Sequence, residues 1–245
     1  MTGSPLRVGV LGAPGRMGGI TCRAVDDDPE LELVARLGRG DPLDALVDER
    51  AAVAVDFTTA DSVVDNVRFC LDAGIHAVVG TTGLSGADLD DIGASAERSR
   101  ANAVVAPNFA IGAVLMMGFA ARAARHFGRA EIVERHHDAK KDAPSGTARR
   151  TAALMNEARA EPWPQSDRDA PTSRGEDVGG VRIHALRLPG SVAHQEVVLG
   201  GVGETLTIRH DTIDRTSFMP GVLLAIKSVA ARPGLTVGLE PLLDL

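Results

Sequence analysis

The stretch Glu134-Arg135-His136-His137-Asp138-Ala139-Lys140-Lys141-Asp142-Ala143-Pro144-Ser145-Gly146-Thr147-Ala148 carries the densest chemistry in the chain. Two imidazoles, an ammonium and a helix entry fall within one short loop, a set that can hold a dicarboxylate and move protons on it. His136 and His137 follow a strand expected over 131–135. Adjacent side chains on extended backbone point to opposite sides, so the two are expected to do different work. Pro144 interrupts regular structure, and a helix is expected over 147–159 with Ser145-Gly146-Thr147 at its entry. The first amides of a helix have no intrahelical partner, which makes that entry an anion site. A His-His pair alone is most often a solvated turn. Lys140 and the Ser-Gly-Thr entry turn the balance toward a binding site.

Those residues need a scaffold, and the apolar pattern supplies one. Leu6 to Leu11 is a strand-length run ending at Gly12, and 17–27 has helical spacing. Further apolar runs at 31–37, 52–57, 77–79 and 103–106 alternate with helical segments such as 62–73 and 87–99. Alternating strands and helices imply a parallel sheet covered on both faces, so the fold class is α/β with a Rossmann-like first domain. Past Asn108 the pattern changes to a long helix over 111–127 and then strands at 131–135, 181–188, 195–199 and 205–210. Strands in succession read as an antiparallel or mixed sheet, giving a second, α+β domain. A helix over 220–231 and an apolar tail over 235–245 are expected to pack back onto the first domain. The resulting division is 1–109 with 217–245 for a dinucleotide-binding domain and 110–216 for a substrate domain. The Pro-rich segment 161–171 reads as an exposed loop with Trp163 as its anchor. His184, His194 and His210 read as sheet surface, and Arg174-Gly175 as a cap on a loop near the site.

The turn Gly12-Ala13-Pro14-Gly15-Arg16-Met17-Gly18 stands where the first strand meets the first helix. Glycines there permit a tight turn, close approach of amides to a pyrophosphate and close packing of helix on sheet. Gly80-Thr81-Thr82-Gly83 and Ala106-Pro107-Asn108-Phe109 follow later strands and should border the same crevice. A dinucleotide site usually has an acidic side chain at the end of the second strand, whereas arginine suits a 2'-phosphate. Val34-Ala35-Arg36-Leu37-Gly38-Arg39-Gly40-Asp41 offers Arg36 and Arg39 and no carboxylate before Asp41. NADPH is therefore expected to serve at least as well as NADH.

Composition narrows the field further. The 245 residues, 44% of them hydrophobic, suffice for a substantial core. A net charge of −7 with 3% aromatics and no Tyr argues against a nucleic-acid surface and for a small-molecule partner. No apolar run approaches membrane-spanning length and no signal peptide is evident, so a cytoplasmic location without membrane association is expected. Cys22 and Cys70 fall on apolar helical patterns as small hydrophobes, and no metal motif is present.

Together these residues resemble the dihydrodipicolinate reductases, now called 4-hydroxy-tetrahydrodipicolinate reductases, along essentially the whole chain. The most specific part is the His-His-x-x-Lys-x-Asp-Ala-Pro-Ser-Gly-Thr-Ala pattern at 136–148, joined by the glycine turn, Asp56-Phe57-Thr58, Gly80 to Gly83 and Ala106 to Phe109. The resemblance implies reduction of a cyclic, unsaturated imine dicarboxylate to tetrahydrodipicolinate, in lysine and diaminopimelate biosynthesis, with NADH or NADPH. It implies an acid/base role for His136, proton donation by Lys140, and substrate carboxylates held by His137, Ser145, Gly146 and Thr147. It places the cofactor against Gly12, Ala13, Pro14, Gly15, Arg16, Met17, Gly80, Thr81, Thr82, Ala106, Pro107, Asn108 and Phe109, and implies a homotetramer built through the second domain's sheet. Asp138 and Ala139 depart from the pattern, and Asp138 would weaken dianion binding unless it points away or pairs with Lys141. Pro14 removes an amide from the phosphate turn, and Gly38 replaces an acidic ribose contact. Rival readings are another two-domain nicotinamide dehydrogenase, or a regulator that senses the cofactor without turnover.

Overall fold

The computed structural model describes residues 4–163 and 172–243. The chain divides into two compact units, one made of residues up to Phe109 with those from Phe218 onward, the other Ala110–Ser217. In chain order the elements are β1 (Leu6–Leu11), α1 (Arg16–Asp26), β2 (Leu31–Leu37), α2 (Asp44–Asp48), β3 (Val53–Asp56), α3 (Ala60–Asp72), β4 (His76–Val79), α4 (Gly86–Arg98) and β5 (Ala103–Val105). There follow α5 (Ile111–Ala124), β6 (Arg129–His136), α6 (Gly146–Ala158), β7 (Glu176–Val178), β8 (Val181–Arg187), β9 (Ala193–Gly201), β10 (Glu204–Thr212), α7 (Met219–Ser228) and β11 (Leu235–Val237).

In the first unit six parallel strands lie in the order β11-β5-β4-β3-β1-β2. Val8, Val10, Val53, Val55 and Val78 are fully buried, because a parallel sheet with helices on both faces has no wet side. One face packs α3 and α4 through Val63, Val67, Leu71, Ile92 and Ala96. On the other face α1 meets α7, with Thr21 Oγ1 3.8 Å from Met219 Sδ. The strand order reverses between β1 and its two neighbours, so the loops after β1 and β3 diverge and leave a crevice at their carboxyl ends. The apolar tail joins this unit as expected, and does so in part as β11, which pairs in parallel with β5 as an edge strand. Cys22 and Cys70 are buried free thiols, and burial pushes the Cys70 thiol up to about 12.

In the second unit five strands run in the order β10-β9-β6-β8-β7. The sheet is mixed, since β6 pairs parallel with β8 and antiparallel with β9. Ala130, Ile132 and Glu134 on β6 are buried, and Arg129, Glu131, Val133 and Arg135 alternate onto the opposite face. The helix expected over 111–127 ends at Ala124, and β6 extends through His136, making that histidine the last strand residue rather than a loop residue. Trp163 is buried, donating from Nε1 to Asn156 Oδ1 at 2.6 Å under the Arg159 guanidinium. The rest of the expected exposed loop, residues 164–171, lies outside the described residues.

Candidate active site

The glycine turn is built around Phe57. Gly12 has φ +78°, and a Cβ on it would lie 2.5 Å from the Phe57 carbonyl oxygen. A Cβ on Gly18 would lie 2.1 Å from the Gly12 carbonyl oxygen, so α1 can start this close to β1 only with glycine there. The amides of Gly12 and Ala13 donate to the Leu37 carbonyl at 2.8 and 3.0 Å, and Gly15 donates to Gly12 at 2.9 Å. With Pro14 lacking an N–H, the amides placed to meet a phosphate are those opening α1, at Arg16 and Met17. The cradle thus fits a pyrophosphate more narrowly than the Gly12 to Met17 run suggested.

Asp56 organises the neighbouring loops. Its buried carboxylate accepts from the Thr58 amide at 2.8 Å, Thr58 Oγ1 at 2.7 Å, Thr81 Oγ1 at 2.9 Å and Asn66 Nδ2 at 2.8 Å. The Thr81 hydroxyl is therefore turned inward to Asp56, and exposed Thr82 is the threonine of that loop facing solvent. A Cβ on Gly80 would lie 2.1 Å from Phe57 Cε1, and Phe57 meets Phe109 edge-on with ring centroids 6.1 Å apart. Phe109 and Ala106 are buried, whereas Pro107 is exposed. At the end of β2, Arg36 forms a half-exposed ion pair with Asp26 at 2.8 Å, and Arg39 is exposed. The fold also returns a carboxylate to this point, since the Gly38 amide donates to Asp41 Oδ2 at 2.7 Å.

In the second unit, β6, β8 and the entry of α6 place the chemistry. His136 Nδ1 lies 2.6 Å from Glu134 Oε2, two residues back on the same face of β6. Arg187 at the end of β8 grips both Glu134 oxygens at 2.9 Å, and the Ser145 amide donates to Oε1 at 3.1 Å. Burial alone would raise the Glu134 carboxyl, but the hydrogen bonds from His136 and Arg187, the charge on His136 and the Ser145 amide outweigh it and bring it to about 2. Arg187 also donates to the carbonyls of Lys140 at 3.3 Å and Asp142 at 2.6 Å, fixing the loop. The Lys140 ammonium reaches both Asp142 oxygens at 2.7 and 2.8 Å, and its hydrogen bond holds the exposed Asp142 carboxyl below the usual range. Lys140 is paired to Asp142 here, rather than Lys141 to Asp138.

Ser145 is the N-cap of α6, its Oγ accepting from the Ala148 amide at 3.3 Å. With its amide held by Glu134, buried Ser145 has only its hydroxyl proton left to give, and Gly146 is the exposed residue of the entry. A Cβ on Gly146 would meet nothing within 4 Å. Open space at a helix N-terminus fits an anion. Gln195 Nε2 donates to Thr151 Oγ1 at 2.7 Å, which donates to the Thr147 carbonyl at 2.8 Å, bracing the first turn from β9.

His136, His137, Lys140 and the 145–147 entry thus share one segment of one unit, and the three loops expected at a cofactor all follow carboxyl ends of the other unit's parallel strands. Glu134, Arg187 and Asp56 are the organisers: Glu134 and Asp56 stood in quoted motifs without an assigned role, and Arg187 was not singled out in the sequence. A charged residue two places before His136 on a strand was the one available signal for Glu134. Arg174, expected near the site, pairs with Glu131 on the opposite sheet face. His184 and His194 lie on that face too, bonded to Glu131 at 2.7 Å and Asp211 at 2.6 Å. His210 does not: it packs against α5, where a Cβ on Gly112 would lie 2.6 Å from its ring. Among the described residues no helix is long and apolar enough to cross a membrane, and no group of His, Cys, Asp and Glu could hold a metal ion.

A parallel sheet with a glycine-lined crevice, followed by a unit bearing a histidine, a lysine and an anion-ready helix entry, defines a two-domain oxidoreductase of the nicotinamide-dependent kind. Residues 6–109 match the family model described as dihydrodipicolinate reductase, N-terminus, and 112–243 the one described as its C-terminus. The chain belongs to the dihydrodipicolinate reductase family. It is 55% identical over 248 residues to a 4-hydroxy-tetrahydrodipicolinate reductase of Streptomyces griseus, covering 99% of each chain. A reductase of the same name from Nocardia farcinica is 54% identical over 98% of this chain and 99% of its own. Among solved structures, a dipicolinate-bound dihydrodipicolinate reductase from Paenisporosarcina sp. TG-14 superposes with TM-score 0.86 and 36% identity, over 97% of this chain and 99% of that one. A Thermotoga maritima probable dehydrogenase, at TM-score 0.66 and 13% identity, shares the fold alone. The family's reductases use NADH or NADPH, bound by the N-terminal domain.

Proposed function

We propose that this chain catalyses the NAD(P)H-dependent reduction of 4-hydroxy-2,3,4,5-tetrahydrodipicolinate to 2,3,4,5-tetrahydrodipicolinate, a step toward diaminopimelate and lysine, in the cytoplasm. The observation that carries this reading is the segment 136–147, in which one buried carboxylate holds the His136 imidazole and the Ser145 helix entry and, through Arg187, the backbone of the loop that carries the Lys140 ammonium. When bound, the reduced nicotinamide supplies hydride. Arg16 and Met17 amides take the pyrophosphate, and the walls after β3, β4 and β5 line the rest. His137, Gly146 and Thr147, with the Ser145 hydroxyl, hold the two carboxylates, and the helix dipole favours that charge. His136 exchanges its proton at Nε2, because Nδ1 faces Glu134. Lys140 gives a proton to the carbon that gains negative character, on release from Asp142. Loss of water followed by addition of hydride and one proton balances the reaction.

Arg39, exposed beside Gly38, is the cation available for a 2'-phosphate, and NADPH serves at least as well as NADH. The deciding experiment follows cofactor oxidation with freshly generated substrate, comparing kcat/KM for the two nucleotides. Turnover supports the assignment. Nucleotide binding without turnover would favour a cofactor sensor, and turnover only with other carbonyl or imine substrates a different dehydrogenase. A roughly tenfold preference for NADH, about 1.4 kcal/mol, would overturn the assignment to Arg39.

The second unit's open sheet face supports a homotetramer. Arg129, Glu131, Val133, His184, Val198 and Gly200 line a concavity of about 410 Å³ there. Leu186, 39% exposed, shares the face, as does Arg135, whose Nε is buried and has no hydrogen-bond partner among the described residues. A second copy would cover the apolar area and supply that partner.

A further inference from the structure

Glu134 has no exposed surface, yet donors from three separate stretches of chain converge on its carboxylate. These are Nδ1 of His136 at 2.6 Å, the two terminal nitrogens of Arg187 at 2.9 Å each, and the Ser145 amide at 3.1 Å. An ionised carboxylate only accepts, so the proton between Glu134 and His136 belongs to Nδ1, and Nε2 is the ring atom left for proton exchange. The same guanidinium holds the carbonyls of Lys140 and Asp142. We propose that Glu134 is the positioning residue of the site: it selects the Nδ1–H form of His136 and sets His136, the Lys140 loop and the Ser145 helix entry in one register. This rests on the proposed reaction. A purely structural ion pair would need only Arg187 to join β6 to β8, and such buried pairs add little stability over apolar replacements. The ring of the proton-exchanging residue would have no part in it. Partners of this kind elsewhere fix the tautomer and orientation of a working imidazole.

Two measurements test the proposal. In the wild-type protein labelled with 15N-histidine, long-range nitrogen–proton spectra identify the His136 ring by its loss in His136→Gln. A proton on Nδ1 is expected wherever the protein is folded, and a neutral ring protonated on Nε2 alone overturns the proposal. Glu134→Gln presents an amide to the same donors. It should lower kcat by about 10- to 100-fold and give His136 a mixture of tautomers, while the Kd for NADPH, read by direct titration, holds its wild-type value. Glu134→Asp should restore part of the rate. A folded Glu134→Gln protein with an unchanged tautomer, or with kcat within about twofold of wild type, sinks the idea. If that variant does not fold, the wild-type spectrum decides. Failure of the wild-type protein to reduce the substrate with either nucleotide would instead refute the proposed reaction, and the tautomer would still read out the geometry.

Discussion

Gly146 has no local reason to be glycine: its φ is not positive, it opens a helix, and a methyl group there would touch nothing. Gly146→Ala should leave Tm unchanged or raise it, since alanine is favoured in helices by up to about 1 kcal/mol. If a substrate carboxylate sits against that amide, KM for the dicarboxylate rises all the same; an unaltered KM would move the anion site elsewhere. His136→Ala and Lys140→Ala should each lower kcat by roughly a hundredfold, the usual scale of lost acid/base help, with NADPH affinity by titration unchanged. Glu134 also sets an acid limit on stability. Its folded carboxyl, at about 2, lies below its ordinary value of 4.5, so the stabilisation is complete above pH 4.5 and is lost as pH falls toward 2. The shift corresponds to on the order of 3 kcal/mol. Tm scans across that window should fall more steeply for wild type than for Glu134→Gln.

At the scale of elements, the loops after β1, β3 and β4 are fitted to one ring. Gly80→Ala would drive a methyl group into Phe57, which itself closes on Gly12 through its carbonyl and on Phe109 through its edge. A loss of NADPH affinity of about tenfold or more, with the second unit's near-UV signal intact, is the expected titration result. The strands of the first unit were legible because fully buried parallel strands are continuous apolar runs. The turn after β1 was legible because Gly15 and Gly18 both answer the nearby Gly12 carbonyl, although Gly12 itself answers the distant Phe57. What sequence could not show was pairing set by register. Glu134 and Arg187 stand 53 residues apart and meet because β6 lies parallel to β8. Asp56 and Thr81 meet across the β3–β4 crossover, and Arg36 is drawn to Asp26 by the packing of α1 on β2. A three-residue strand shows no period and is legible only when it is an apolar run like β5, so the polar β7 went unexpected and β11 passed for part of an apolar tail.

At the scale of the whole molecule, assembly is the property that one chain cannot display by itself. Sedimentation at micromolar concentration should give a species of four chains, and Leu186→Glu on the open sheet face should shift it to smaller forms. A monomer at all concentrations would contradict the proposed tetramer. The path of the chain carries a further consequence. Residues 110–217 are threaded as one uninterrupted piece, whereas the parallel sheet waits for β11, encoded more than a hundred residues after β5. A ribosome therefore releases every residue of the 110–217 piece before the other sheet can gain its sixth member. Early in synthesis β5 is an uncapped edge, and an exposed edge is where strands from a neighbouring nascent chain would add.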